Sequence, residues 1–306
     1  MRSACLQNVR TGEEYGDMPM PIFSDAYADL DPEEFQRRAI DFAALDLTCC
    51  SVSTLRNELM HVLTPPGRSG FTLVPQVRTV PAGTCFWRGR VLPTDDHVLP
   101  LRTIRRTADV WESPTNVAQQ MRLNKQGEPL LYTTLDHPHA VPAEVRLPTG
   151  SNLALIQYQA SQELHLNCIG LPANWDGLDP EQTGAAALVH DFLAKQFLRR
   201  VSDHGHEYYL SELVAKDLFD LPEECQDGWS YPSVAQAGAV NVAFRPSVAH
   251  SKLELTGVAL CRVRSDADSV TFEGLAFSDG APTDDFAWHT WGSDVQRRCF
   301  PQFSQP

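Results

Sequence analysis

The segment Thr84-Cys85-Phe86-Trp87-Arg88-Gly89-Arg90-Val91-Leu92 alternates along its length. Phe86, Arg88 and Arg90 fall on one side and Cys85 and Trp87 on the other, the two-residue period of a β-strand. Two arginines side by side on a strand face signify solvent, or an anion such as a diphosphate. From Val74 onward the chain keeps to strand patterns. Leu130–Thr133 reads as a short buried strand, Leu153–Tyr158 and Val240–Phe244 as further strands, and Leu253–Phe277 as two strands joined by the hairpin loop Ser265-Asp266-Ala267-Asp268. Helices are interleaved with them. Asp179-Pro180-Glu181-Gln182 offers an N-cap, a proline at the first helical position and capping-box chemistry. That helix is expected to run to about Arg200 and to bury Leu188 and Phe192, and another fits Leu210–Phe219. Asp136 is placed to cap a helix carrying Ala140, Ala143 and Glu144, kept short by Pro138 and Pro142. The sum is a mixed α+β pattern.

Working upstream, Asp31-Pro32-Glu33-Glu34 starts a helix with Phe35, Ala39 and Phe42 on one face. A second helix fits Ser53–Leu63, with Leu55, Leu59 and Val62 aligned, and Thr64-Pro65-Pro66-Gly67 ends it. Residues 1–30 show no period and read as loop. Pro65-Pro66-Gly67-Arg68-Ser69-Gly70 lacks the spacing and the Lys-Ser/Thr ending of a phosphate loop and reads as a linker. The expected division is therefore a helical extension over 1–75, a core over 76–250, and a C-terminal hairpin and tail over 251–306, packed on the core.

The chain has 306 residues, 42% hydrophobic and 21% charged, values of a globular protein and not of a disordered one. Its apolar runs are too short to span a membrane. Residues 1–25 hold Glu13, Glu14 and Asp17 and no apolar stretch, so a secretory signal is not expected and a cytoplasmic location is. The net charge of −14 disfavours nonspecific nucleic-acid binding. Only residues 76–146 carry more basic than acidic groups, 9 against 7, which suits a small anion or is a fluctuation of two charges. Eight cysteines without a Cys-x-x-Cys pair argue against zinc ribbons and thioredoxin-like sites, and in a cytosolic protein most are expected to be reduced core thiols. His137-x-His139 and His204-x-His206 lack third and fourth ligands at a known spacing, so no metal is expected.

The residues with chemical potential come in a fixed order. Arg122-x-Asn124-x-x-Gly127 precedes Leu131-Tyr132, Glu144 follows, and Asp227-Gly228-Trp229-Ser230-Tyr231-Pro232-Ser233 comes much later. A guanidinium forms paired hydrogen bonds to phosphate or carboxylate, although Arg-x-Asn-x-x-Gly alone also describes a surface turn. Tyr132 is a core aromatic or a ring that stacks on a planar ligand. Glu144 is a partner for nearby Arg146, or a carboxylate that stabilises oxocarbenium character at a sugar. Ser233 sits in an expected turn after Asp227-Gly228 and lacks the elbow of a serine nucleophile, so its hydroxyl is a hydrogen-bonding group, as is the Asn241 amide. Together these groups are equipped to hold a dinucleotide and break its N-glycosidic bond.

Phe86-Trp87-Arg88, the Arg122-to-Tyr132 block, Ala143-Glu144-Val145, the helix from Tyr209 through Leu218, Asp227-Gly228-x-x-Tyr231-Pro232-Ser233 and Asn241-x-x-Phe244 resemble the RES domain family, named for its Arg, Glu and Ser. The resemblance spans about residues 76–250. It departs at Met121, where the family often has glycine, in a longer insert between Arg88 and Arg122, and in residues 1–75, which have no counterpart. It implies an ADP-ribosyltransferase-like fold, a split mixed β-sheet with flanking helices and NAD in the cleft. It also implies a toxin of a bacterial toxin–antitoxin pair that cleaves NAD as substrate by hydrolysis or phosphorolysis and is blocked by an Xre-type antitoxin. Some relatives transfer ADP-ribose to a protein or small molecule instead. By the resemblance Arg122 grips phosphate or ribose, Tyr132 stacks nicotinamide, Glu144 supports the cationic transition state and Ser233 holds the ribose. Arg88, Asn124, Gly127 and Asn241 complete the cofactor-binding set. A noncatalytic RES-like binding module predicts loss of one of the four key residues, and all four are present.

Overall fold

A computed structural model describes residues 27, 29–71, 73–93, 95–96, 98–148, 151–173, 175, 178–201, 205–265, 270–280, 285–301 and 303. Most of the expected N-terminal loop, residues 266–268 of the expected hairpin loop, and His204 lie outside them. In chain order the elements are α1 (Pro32–Ala43), α2 (Val52–Leu63), β1 (Val77–Val80), β2 (Cys85–Val91), β3 (Leu131–Leu135), α3 (Val141–Glu144), β4 (Asn152–Ala160), β5 (Leu164–Cys168), α4 (Pro180–Phe197), α5 (His206–Leu213), β6 (Gly228–Pro232), β7 (Val240–Phe244), α6 (Pro246–Lys252), β8 (Leu253–Ser265), β9 (Val270–Asp279) and α7 (Asp294–Cys299). The chain is of the α+β class. It divides into two units, one formed by Met1–Thr79, Asn116–Glu128 and His165–Tyr231, the other by Val80–Thr115, Pro129–Leu164 and Pro232–Pro306.

In the first unit the expected caps are in place. Asp31 Oδ1 accepts from the amides of Glu33 and Glu34 at 3.0 and 3.3 Å, and Pro32 opens α1. Ser51 caps α2 through the Thr54 amide, and Leu55, Leu59, Val62 and Leu63 are buried. Asp179 Oδ1 accepts from the Gln182 amide at 2.9 Å and starts α4. The phenyl rings of Phe35 and Phe42 on α1 meet Phe192 on α4 edge-on, at 5.6 and 5.7 Å. Leu188, expected in the core, is only half-buried, because the inward face of α4 is carried by Ala186, Val189, Leu193 and Phe197. The helix expected over Leu210–Phe219 begins earlier, at His206, and passes after Leu213 into a π-helix over Val214–Leu218.

The sequence suggests a turn after Asp227, but Gly228–Pro232 is strand β6, parallel to β5 through Leu166↔Gly228, Asn167↔Trp229 and Cys168↔Ser230. Trp229, Ser230 and Tyr231 are all buried, so the segment shows no polar-apolar alternation. The Trp229 indole donates to Phe219 O at 2.9 Å, which satisfies its one polar atom.

The second unit holds strands in the order β7-β3-β2-β4-β8-β9. β2 pairs with β4 over its whole length, from Cys85↔Gln159 to Val91↔Leu153, and β3 pairs with β7 from Leu131↔Phe244 to Thr134↔Asn241, all antiparallel. β2 and β3 register with each other only at Phe86↔Leu135 and Trp87↔Thr134. From Arg88 onward β2 keeps its β4 partner and β3 keeps β7, so the β2–β3 pairing is short. Side-chain alternation then assigns the faces. Trp87, Gly89, Tyr132, Thr134 and Asn241 project to one, and Phe86, Arg88, Thr133 and Phe244 to the other, where Phe86 and Phe244 meet edge-on at 5.2 Å. A core of Trp87, Leu153, Leu155, Cys261, Phe277 and Phe300 lies on the first face together with Val141 of α3. Asp136 does not cap a helix as expected. It adopts a left-handed φ of 52° and accepts from the Cys85 amide at 3.3 Å, and a 3₁₀ turn over Pro138–Ala140 leads into α3 instead. Among the described residues no helix is long and apolar enough to cross a membrane.

His190 gives the first unit a pH dependence. Its Nε2 donates to Val74 O at 3.0 Å, the rings of Trp175 and Phe219 pack against it, and burial lowers its pKa from 6.5 to about 4. Between those values the unfolded chain binds a proton that the folded His190 does not, so stability falls as pH falls. By pH 4 the loss is about 3 kcal/mol. Urea unfolding of wild type and His190→Gln over this range is expected to show a steeper pH dependence in the wild type, by that amount.

Candidate functional site

Glu144 ends α3, and its position is set by a missing side chain below it. A Cβ at Gly89 would lie 2.4 Å from Val141 Cγ1, 3.1 Å from Val145 Cγ1 and 3.2 Å from Leu153 Cδ1. Only glycine lets α3 lie this close to β2. From there the Glu144 carboxylate reaches Asn241 on β7. Its Oε1 accepts from Asn241 Nδ2 at 2.8 Å and from the Ser233 hydroxyl. These partners are 97 and 89 positions away in sequence.

Ser233 is the first residue of an exposed loop that closes on itself. The Ser233 amide donates to Ala239 O at 2.8 Å, and the Gln236 amide donates to Ser233 Oγ at 2.7 Å. A backbone N–H only donates, so Ser233 Oγ accepts there and gives its own proton to Glu144. Three acceptor positions of the cluster are left over. Glu144 Oε2 receives no hydrogen bond from a described residue, Asn241 Oδ1 is buried without a partner, and Ser233 Oγ keeps one lone pair. Such a cluster suits hydroxyl donors or a developing positive charge. Tyr132, half-buried on β3, projects to the same face as Asn241.

Arg88 leaves β2 on the opposite face, one residue beyond the last registered β2–β3 pair, Trp87↔Thr134. Its Nη1 is buried and has no hydrogen-bond partner. The groups around it are engaged elsewhere. The Tyr158 hydroxyl donates to Val110 O, Arg90 Nη1 donates to Asp109 O at 2.7 Å, and both Glu112 oxygens lie 3.1 Å from His250 Nε2. Burial lowers the Arg88 pKa, with Tyr158 and Glu112 opposing and Arg90 assisting, yet a guanidinium keeps its charge.

The Arg122 block belongs to the first unit. Arg122 Nη1 donates to Phe197 O, at the C-terminal end of α4, at 2.7 Å. Asn124 is buried, and its Nδ2 bridges the carbonyls of Gln119, Lys125 and Glu128 at 2.8–2.9 Å. Gly127 adopts φ 82°, and its amide donates to Ala118 O at 2.9 Å, so the block is a turn that needs glycine at this position. The Asn124 amide therefore acts on the loop that carries Arg122. Among the described residues no three His, Cys, Asp or Glu side chains gather as a metal site would require.

The Glu144–Ser233–Asn241 convergence unites three residues named from sequence. Gly89 and the Gln236 amide were not named, although a glycine inside a strand pattern is a signal of close backbone approach. No family model, curated protein or solved structure matches the chain. Gly89→Ala is expected to destabilise the protein by about 1–3 kcal/mol, because α3 must move to admit the methyl group. Chemical unfolding measures this, and an unchanged midpoint would mean that α3 does not rest on that glycine.

Proposed function

We propose that the chain is an NAD-cleaving enzyme of RES-like type, with Glu144 as its central catalytic residue. The observation that carries this reading is the carboxylate itself, held through one oxygen by Ser233 and Asn241 with the other oxygen uncommitted. Cleavage of the bond between ribose C1′ and the nicotinamide nitrogen sends the electron pair to that nitrogen and neutralises the pyridinium. Nicotinamide leaves as a neutral molecule without needing a general acid. The sugar acquires oxocarbenium character, which a fixed anion stabilises; phosphate then attacks C1′, or water does and releases its proton to the Glu144 carboxylate and on to solvent. Ser233, with its proton given to Glu144, accepts from a ribose hydroxyl.

The mixed α+β class is compatible with an ADP-ribosyltransferase-like architecture, in which Tyr132, on the same sheet face as Asn241, would stack on nicotinamide. The buried, unpartnered Nη1 of Arg88 supports an anionic group near it, but on the sheet face opposite Asn241 and Tyr132. Arg122 remains the resemblance's candidate for a phosphate or ribose contact. The same resemblance gives the enzyme the role of a bacterial toxin with an Xre-type antitoxin as its partner.

Purified protein, freed of any inhibitory partner, is expected to release nicotinamide from NAD. Glu144→Gln keeps the shape of the side chain and is expected to slow release by about a hundredfold or more. Chromatography of nicotinamide measures both, with circular dichroism as the control for folding. Full activity in Glu144→Gln, or none in the wild type, overturns the reading. Labelled NAD separates free ADP-ribose or its phosphate from label transferred to a macromolecule.

A further inference from the structure

The loop over residues 233–239 has no regular structure, yet it determines which way the Ser233 hydroxyl points. Three of its hydrogen bonds are internal, Ser233 N to Ala239 O, Ala239 N to Gln236 O and Gln236 N to Ser233 Oγ. Gly238 holds the return of the chain with φ 82°, a conformation that costs little only for glycine. A Cβ at Gly238 would meet nothing within 4 Å, so a substitution there acts on the backbone alone, without a clash. Val234 and Gln236 are exposed, and neither side chain is needed for the arrangement.

We propose that Gly238 and the Gln236 backbone amide are positioning groups for the proposed ribosyl site, acting on substrate only through Ser233. The inference rests on the NAD reading and deepens it. The Gln236 N–H occupies one acceptor position of Ser233 Oγ and thereby commits the hydroxyl proton to Glu144. The lone pair that remains makes Ser233 an acceptor toward substrate. The favoured substrate class is a ribosyl compound that offers a free hydroxyl as donor, with the positive charge developing beside Glu144 Oε2. If the loop relaxes, the Ser233 proton can turn to substrate or water, and Glu144 loses one of its two donors.

A double-mutant cycle in Gly238→Ala and Ser233→Ala tests this. Gly238→Ala alone is expected to lower kcat/KM for nicotinamide release about five- to tenfold, with a lowered unfolding midpoint from backbone strain at φ 82° but a folded protein at the assay temperature. In the Ser233→Ala background it is expected to have no further effect, because the group it acts through is gone. Ser233→Thr, which keeps the hydroxyl, is expected to stay within about threefold of wild type. Equal penalties for Gly238→Ala in both backgrounds would overturn the proposal. Hydrogen exchange supplies an arm that does not depend on NAD, since the Gln236 amide should lose protection in Ser233→Ala. Retained protection sinks the positioning claim even in an active enzyme. Lost protection in a protein that releases no nicotinamide keeps the loop geometry and sinks the NAD reading instead.

Discussion

A carboxylate partly removed from water has to be compensated, and Glu144 is compensated through one oxygen only. That asymmetry organises the proposed site. Two donors on Oε1 fix the plane of the carboxylate and leave Oε2 available, which is the arrangement an electrostatic catalyst needs if its field is to be set before the reaction begins. A carboxylate with donors on both oxygens would be a structural anchor, and one with none would be mobile. The arrangement exists because Gly89 has no side chain, because β7 presents Asn241 on the same face as α3, and because the 233–239 loop turns Ser233 inward. None of the three conditions is local to Glu144.

The residue types at the site were legible in the sequence, while their geometry was legible only in part. Alternation over Thr84–Leu92 identifies β2 and separates Arg88 from Trp87, and the observed register agrees. Capping residues place α1 and α4 to within a residue at their starts, since an N-cap acts through neighbours two or three positions away. Strand β6 was hidden because Trp229, Ser230 and Tyr231 are all buried, and a strand covered on both faces loses its period. Asp136 has the composition of a cap but is drawn to the Cys85 amide by the β2–β3 junction, a tertiary contact that local sequence does not encode. Asn124 reads in the sequence as part of a turn that brings backbone close to a ligand. Its amide instead ties together three carbonyls of its own loop, a role that the motif and a ligand-binding role would write alike.

Arg88 and Arg122 show how burial separates two arginines that read alike in sequence. Arg122 has an acceptor in Phe197 O, a carbonyl at a helix C-terminus, where cations are favoured by the aligned peptide dipoles. Arg88 has a buried nitrogen with no acceptor, while the carboxylate of Glu112 is engaged by His250. A desolvated donor without a partner costs about 1–3 kcal/mol, and more when it is charged. Folding alone gives no return for that cost. An anionic ligand at Arg88 would supply one, since it would meet a charge whose hydration has already been removed. The cost of stripping water from the guanidinium then falls in the folding step and not in the binding step, so the binding step keeps more of the interaction energy. Under the proposed function the unpartnered nitrogen is therefore preorganised for an anionic group.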